Sequence, residues 1–476
     1  MSQLKFIIVS FFFLSISGHA QDEVDTVYNL QDCIDIALEN NLTLKSAQLS
    51  ENRAEVNFKQ SKNELLPNLN ANYNLGQSNG RSIDPFTNTI INEQLTFSNA
   101  SLQLGATIFN GFRLINQWKQ QKLNLKASEL EKEDARQNLI LDVTLAYLQA
   151  MNNRDLYQLA LNRYESTQTQ LERLENLFSE ELGNPAEFRD FQGLSANDEA
   201  AILASQNAFE DAILNLKLLM NTEDDFQLAE RDLAMEVVEY QLSGGEVYMW
   251  ALENLPTVKS SELRVEASEK SIAVAKAQFV PEVSIFANLG TNYSSAARIF
   301  NEGNTSVVET GEFVTIDGQD VPVFTEQTDF LSEEISYTDQ FENNLNSAVG
   351  LSVRIPLFNG FRAKNNVALE KIANEEAEVE LQRTKLELQN AIEQAHRDMQ
   401  VAYQRYNILQ RQVEAYRESY RINEIRFDSG VTNSAEFIIS KNNLDNALIN
   451  LSNVTYEYLL RVKVLDYYTG IAVAQL

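Results

Sequence analysis

Phe109-Asn110-Gly111-Phe112-Arg113 returns letter for letter as Phe358-Asn359-Gly360-Phe361-Arg362. Each copy closes a run of alternating apolar and polar residues and opens a long helical stretch. Each stretch runs for about 66 residues without Pro or Gly, which is about 100 Å of helix at about 1.5 Å per residue. That is too long for one globular core. A tandem period of roughly 250 residues is also far longer than a solenoid repeat. The repeat therefore predicts one body built from two similar halves, 21–243 and 244–476.

Each half opens with a helix stopped by a proline. The first runs from about Leu30 to Leu66 before Pro67, and the second from about Val247 to Val280 before Pro281. They share the wording Ala37-Leu38-Glu39-Asn40 and Ala251-Leu252-Glu253-Asn254. After each proline the apolar period changes from 3.6 to 2, the mark of a strand. Strands are expected at about 68–76 and 99–108, and again at about 282–290 and 347–357. From Asn68 to Leu75 every second residue is Asn, against Leu69, Ala71, Tyr73 and Leu75. Leu102, Leu104, Ala106 and Ile108 share a face in the same way, as do Val283, Ile285 and Ala287, and Val349, Leu351 and Val353. About nine residues is what a tilted strand needs to cross a bilayer. A half-buried soluble sheet alternates too, but alternate asparagines suit a hydrated lumen better than a merely solvated face. The strands of each pair are joined by polar loops, about Gln77–Ser98 and the longer, about Thr291–Asn346, as at one end of outer-membrane barrels.

The long helices carry a heptad seam. In the second half it steps through Leu388, Ile392, Ala395, Met399, Ala402, Tyr406, Leu409 and Val413; in the first, through Leu139, Val143, Ala146, Ala150 and Tyr157. Such seams supercoil left-handedly. Each long helix breaks at a glycine, Gly183 or Gly430, before a shorter second helix. Two unequal helical hairpins follow, at about 113–221 and 362–468.

Composition removes most chemistry. Residues 1–20 read as a secretory signal peptide, and the residue after them is Gln21, not the Cys of a lipoprotein signal. Cys33 is the single cysteine, expected as a buried small hydrophobe, and His396, expected at the surface, is the single histidine after the signal. Triads and multi-histidine zinc sites are poorly supplied. No catalytic residue, cofactor site or metal site is expected. A net charge of −30 disfavours nucleic acid as a partner.

Four strands cannot close a membrane barrel, because open edges leave backbone groups unpaired in lipid. The chain must assemble, most simply as a cyclic ring. Two copies supply eight strands, and three supply twelve with room for water.

The prolines Pro67 and Pro281, the joints Ile108–Arg113 and Pro356–Arg362, and the hairpin tips at Gly183 and Gly430 follow one another in a duplicated order. This order resembles that of the TolC-like outer-membrane efflux proteins over essentially the whole chain beyond the signal. The resemblance implies a mainly α fold with a membrane β-barrel: a homotrimer with a twelve-stranded barrel, continued by a long α-helical coiled-coil periplasmic tunnel. It implies a porin-like passive duct for efflux or type I secretion in the outer membrane of a Gram-negative bacterium, in contact with outer-membrane lipid. The duct docks a periplasmic membrane-fusion adaptor and an inner-membrane transporter of RND or ABC type. The resemblance gives the protein no enzymatic role.

It also implies an aperture at the tips lined by acidic rings. Aligned on Gly430, Glu436 stands where the family often has Asp, Ile439 stands at the second acidic position, and Thr432 and Phe427 replace a gate-linking Arg and Tyr. The family's gate bonds do not carry over. The candidate gate residues are Glu436, Asp428, Glu187, Arg189 and Asp190, with Arg189 to Glu436 as the expected link. Gly183, Asn184, Gly430 and Val431 are the candidate adaptor-docking tips. Pro67, Phe109, Gly111, Pro281, Phe358 and Gly360 mark the strand-to-helix junctions. A periplasmic adaptor would need Gly-rich lipoyl-like β segments and usually a lipidated Cys. An adhesin or structural coiled coil would explain the heptads but not the strands. The cargo, whether drugs, metals or proteins, is left open.

Overall fold

The computed structural model describes residues 26–83, 88–92, 94–180, 184–229 and 237–470. The signal segment and the expected tip residue Gly183 lie outside the described residues. In chain order, β1 (Val27–Tyr28) precedes α1 (Leu30–Asn40) and α2 (Leu42–Asn63). β2 (Asn68–Ser78), the short β3 (Arg81–Ile83) and β4 (Ile90–Asn92), and β5 (Leu95–Phe109) lead to α3 (Arg113–Ser179) and α4 (Pro185–Met220). β6 (Gln227–Leu228) closes the first half, and the second comprises α5 (Gly244–Asn254), α6 (Pro256–Lys276), β7 (Glu282–Ser294), β8 (Arg298–Ile316), β9 (Gln319–Glu334), α7 (Tyr337–Asn343), β10 (Asn346–Arg354), α8 (Arg362–Asp428) and α9 (Ser434–Thr469). β6 pairs in parallel with β1. No described helix is long and apolar enough to cross a membrane.

The hairpins match in length: α3 and α8 have 67 residues each, and α4 and α9 have 36 each. The opening helices depart from expectation, because each is broken in two. After Ala37-Leu38-Glu39-Asn40 the chain turns extended at Asn41, whose N–H still bonds to Ala37 O. The Asn41 side chain accepts from Thr43 N at 2.8 Å and Leu44 N at 3.1 Å, capping α2 from within what read as one helix. In the second half the same wording ends α5 at Leu255, and Pro256, which has no N–H to give, starts α6.

The chain divides into two compact units. One contains residues up to Ser50, 129–259 and from Arg383 on; the other contains 51–128 and 260–382. The first unit is helical, with two related cores. In one, Cys33, Ile34 and Ala37 of α1 pack with Val143, Tyr147 and Met151 of α3 and Leu216 and Met220 of α4. In the other, Val247 and Ala251 of α5 pack with Ile392, Ala395, Met399 and Ala402 of α8 and Val454, Tyr458 and Leu465 of α9. The heptad seams are what these cores bury. Cys33 is fully buried, and that burial pushes its thiol up to about 12, which keeps it unreactive. His396 is half-buried rather than superficial, its Nε2 3.2 Å from Leu242 O.

The second unit holds a four-stranded antiparallel sheet in the order β10-β7-β5-β2. The period-2 alternation puts whole rows on one face. Asn70, Gln103, Asn288 and Ala348 lie opposite one another across the four strands, as do Asn72, Ser101, Gly290 and Asn346. On the other face Leu69, Leu104, Ala287 and Val349 form a row. Leu69, Tyr73, Leu75, Val349, Leu351 and Val353 are exposed, so among the described residues most of this apolar face is bare; α7 reaches only its outer end, where the Tyr337 hydroxyl meets Ser98 Oγ at 3.1 Å. β5 begins at Leu95, earlier than expected, and β10 stops at Arg354, before Pro356 removes a ladder donor.

The stretch expected as a long polar loop is folded. β8 and β9 form a hairpin whose two-residue turn, Asp317-Gly318, has both residues at positive φ, +55° and +84°. That is the Asp-Gly chemistry of a type I′ turn. α7 then packs on β7: Gln340 is buried, accepts from Ser294 N at 2.9 Å and donates to Ser294 O at 3.0 Å. Asn344 donates to Asn292 O at 2.8 Å, so α7 covers the edge of β7 beyond the reach of β10.

Candidate functional site

The hairpin tips are built by complementary caps. α8 ends with Gly430 at φ +68°, where Gly430 N bonds to Phe427 O at 3.0 Å and Val431 N to Arg426 O at 2.8 Å. This pair of bonds is the Schellman arrangement that a left-handed glycine permits. α9 starts at Asn433, whose Oδ1 accepts from Glu436 N at 3.1 Å, and α4 starts at Asn184, whose Oδ1 accepts from Ala186 N at 3.1 Å. Below the caps lies an aromatic core that both hairpins share. Phe191 of α4 stacks on Phe427 of α8 at 5.7 Å between ring centroids, and Phe427 on Phe437 of α9 at 4.9 Å. Leu174, Phe188 and Leu194 complete it. Tyr420 packs 5.6 Å from Phe437, and burial pushes its phenol up.

The structure redistributes the expected charge partners. Asp428 is bound by Arg173, which ion-pairs with Oδ1 and donates through Nη2 to the Asp428 carbonyl at 2.8 Å. The same guanidinium lies 5.8 Å from the centre of the Phe427 ring. One arginine of the first hairpin thus clasps the end of the second hairpin's long helix. Asp190 accepts from Ser434 Oγ at 3.2 Å, a second tie between the hairpins. The expected Arg189 to Glu436 link is not made within the chain. Arg189 instead donates to Gln192 Oε1 at 2.7 Å, one helical turn away, and covers the Phe188 ring. Glu436 receives the Thr432 hydroxyl and stands 3.7 Å from Arg426 Nη1. Glu187 lies in the first turn of α4, where the helix dipole favours an acid. Val431 is exposed at the tip of the second hairpin.

A charge cluster that the sequence reading missed lies deeper. Asp198 of α4 is fully buried, with Arg163 Nε at 2.5 Å from one oxygen and Lys441 Nζ at 3.6 Å from the other. The Arg163 contact is a charge contact without the alignment of a hydrogen bond. Thr167 donates to Asp198 Oδ2 at 2.5 Å, and Asp445 takes Lys441 at 3.0 Å and Arg163 at 3.4 Å. Two cations and two anions therefore neutralise one another among α3, α4 and α9. A signal for it exists: Asp198 and Lys441 sit on the apolar stripes of their helices, each four residues on, from Leu194 and Phe437 respectively.

The strand-to-helix joints show why the pentapeptide repeats. Gly111 and Phe112 have φ of +65° and +61°, and Gly360 and Phe361 have φ of +65° and +60°. Two consecutive left-handed residues turn the chain from strand to helix, and glycine removes the steric cost at the first. Phe109 then meets Phe112 edge-on at 5.5 Å and 86°, and Phe358 meets Phe361 at 5.5 Å and 88°. Among the described residues no cluster of His, Cys, Asp and Glu is placed to hold a metal.

This arrangement can be set against known proteins. The outer membrane efflux protein family model matches residues 33–222 and 247–470, one segment in each half. The fold is similar to that of VceC from Vibrio cholerae (TM-score 0.71, 16% identity, 93% of this chain and 96% of that one). It is similar also to the CmeC outer membrane channel of Campylobacter jejuni (TM-score 0.72, 17% identity, 98% and 94%). In sequence, the chain is 23% identical over 178 residues to the pyoverdine export outer membrane protein OpmQ of Pseudomonas aeruginosa. That match spans 37% of this chain and 37% of OpmQ. With the family model matched over most of its length, the chain belongs to the outer membrane efflux protein family and is an outer-membrane protein with a periplasmic portion.

Proposed function

We propose that the protein is the passive exit duct of a tripartite efflux or type I secretion system. It works as a homotrimer whose three four-stranded sheets close into a twelve-stranded barrel, and its two halves act as one body. The observation that carries this reading is the sheet. Among the described residues it has one apolar face that is bare over most of its length, one face ruled by Asn and Gln, and two edge strands, β2 and β10, with no further strand beside them. Lipid against the first face, water against the second and further copies on both edges satisfy all three at once. The tips Asn184, Gly430 and Val431, with Gly183, dock a periplasmic adaptor that links the duct to an inner-membrane transporter. The aperture at the tips is held closed by the Arg173–Asp428 clasp and the Phe191–Phe427–Phe437 stack. Glu436, Glu187 and Asp190 give the entrance its negative charge. Cargo passes without chemical change and is selected by the inner-membrane partner.

Single-channel recording of the full chain in planar bilayers tests this reading. Wild-type protein is expected to give small, cation-favouring conductance steps, and Arg173→Ala, which opens the clasp, larger ones. A chain that inserts and never conducts, with or without Arg173, overturns the duct.

A further inference from the structure

The two strand-to-helix joints share one internal geometry and have different surroundings. At the first, a Cβ built on Gly111 meets Val280 Cβ at 2.8 Å and Ala277 Cβ at 3.2 Å, so this joint sits hard against the turn that precedes β7. Asn110 is buried there. At the second, a Cβ built on Gly360 meets nothing within 4 Å. Leu357 and Phe358 beside it are 92% and 77% exposed. The same five residues thus have a seat in one half and none in the other.

The repeat identifies the missing seat. Counting back from Pro281 and Pro67, Val280 corresponds to Leu66 and Ala277 to Asn63. Leu66 is 65% exposed. The equivalence holds at a contact made in both halves: Gln117 Nε2 donates to Glu64 Oε2 at 3.1 Å, and its counterpart Asn366 Nδ2 donates to Gln278 Oε1 at 3.0 Å. Leu66 cannot serve Gly360 of its own chain. β2 and β10 are opposite edges of the sheet, three strand spacings and so about 14 Å apart. A bare joint on one edge and a bare seat on the other make a head-to-tail interface, the kind that generates rings. Strand direction agrees. Each neighbouring pair in the sheet is antiparallel, so β10 of one copy set beside β2 of the next is antiparallel too.

We infer that the Gly360 joint of each chain seats on the Leu65-Leu66 turn of a second copy of this chain, as the Gly111 joint seats on Phe279-Val280 within the chain. The inference rests on the ring reading above and specifies its contact. The ring then carries one kind of joint throughout, alternately within and between chains. The seam continues along the helices. Within the chain, Gln120 Nε2 donates to Ser271 Oγ at 2.7 Å and ties α3 to α6. The corresponding residues are Leu369 of α8 and Asn57 of α2, both exposed, so the seam between chains is the less polar of the two.

Cysteine crosslinking of the full chain in detergent tests the contact, and buried Cys33 gives little background. Leu66→Cys with Gly360→Cys is oxidised, with Gly111→Cys and Val280→Cys as the within-chain control. Because cysteine at a left-handed glycine is strained, Asn57→Cys with Leu369→Cys, joined by a short bismaleimide, is a second pair. Gln120→Cys with Ser271→Cys is its control. The expected result is covalent dimers and higher species from both test pairs and crosslinked monomers from both controls. If light scattering shows a closed ring and the controls crosslink, but both test pairs yield only monomers, the seat is wrong and the ring reading survives. A chain that is monomeric throughout overturns the seat and the ring together.

Discussion

The helical unit and the sheet use the same apolar residues under opposite accounting. In the helical unit, Ile34, Leu148, Ile392 and Leu465 are fully buried by other helices of the same chain. In the sheet, Leu69, Val349, Leu351 and Val353 are equally apolar, equally regular in spacing, and exposed. A soluble monomer rarely leaves so continuous an apolar patch bare. These helical positions find their solvent-excluding partners within the chain, and these sheet positions do not.

Substitutions can break that contrast. The largest effect is expected at Phe437, fully buried where the two hairpins meet. Phe437→Ala should cost about 3–5 kcal/mol of stability, read from denaturant midpoints of the detergent-solubilised protein. A shift near zero would mean that the aromatic stack does not join the hairpins. Asp198→Ala, which leaves Lys441 and Arg163 with Asp445 as their one shared carboxylate, should cost about 3–5 kcal/mol. Lys441→Met alongside it should recover part of the loss, and no recovery would show that the cluster does not act as a neutral set.

The sheet should respond by face rather than by burial. Leu351→Arg should destabilise the membrane-inserted form by about 2–4 kcal/mol, while Asn70→Arg on the opposite face should be tolerated. Refolding yields into lipid vesicles compare them, and equal yields would remove the distinction between the faces.

The smallest effect concerns pH. Burial holds the Asp466 carboxyl above the usual range, partly offset by Lys463. A carboxyl raised on folding adds stability below its unfolded pKa, and that contribution is lost as pH rises through the folded value. Asp466→Asn should therefore flatten the gain in thermal midpoint between neutral pH and about pH 4. An unchanged slope would show that Asp466 titrates as it does in the unfolded chain.

Much of this architecture is legible in the sequence because its signals are local and doubled. Pro67 and Pro281, the Asn alternation after Asn68 and the paired heptad seams each need only a short window. The misses have different physical causes. Asn41 breaks a helix because its side chain competes with the ladder for two amides, which apolar spacing does not register. The β8–β9 hairpin hides behind acidic composition, although Asp317-Gly318 signalled its turn. At the tips the clasp was unreadable: Arg173 and Asp428 lie in different halves, and the pairing expected from proximity to the tip, Arg189 with Glu436, lost to a Gln192 one turn away.

The most direct measurement is water accessibility on the two faces of one sheet. With the full chain in native membranes, Asn70→Cys and Leu351→Cys are each treated with a membrane-impermeant charged thiol reagent. Asn70→Cys should react, and Leu351→Cys should react only after detergent removes the lipid. Equal labelling of both positions in intact membranes would contradict a sheet with lipid on one face and a pore on the other.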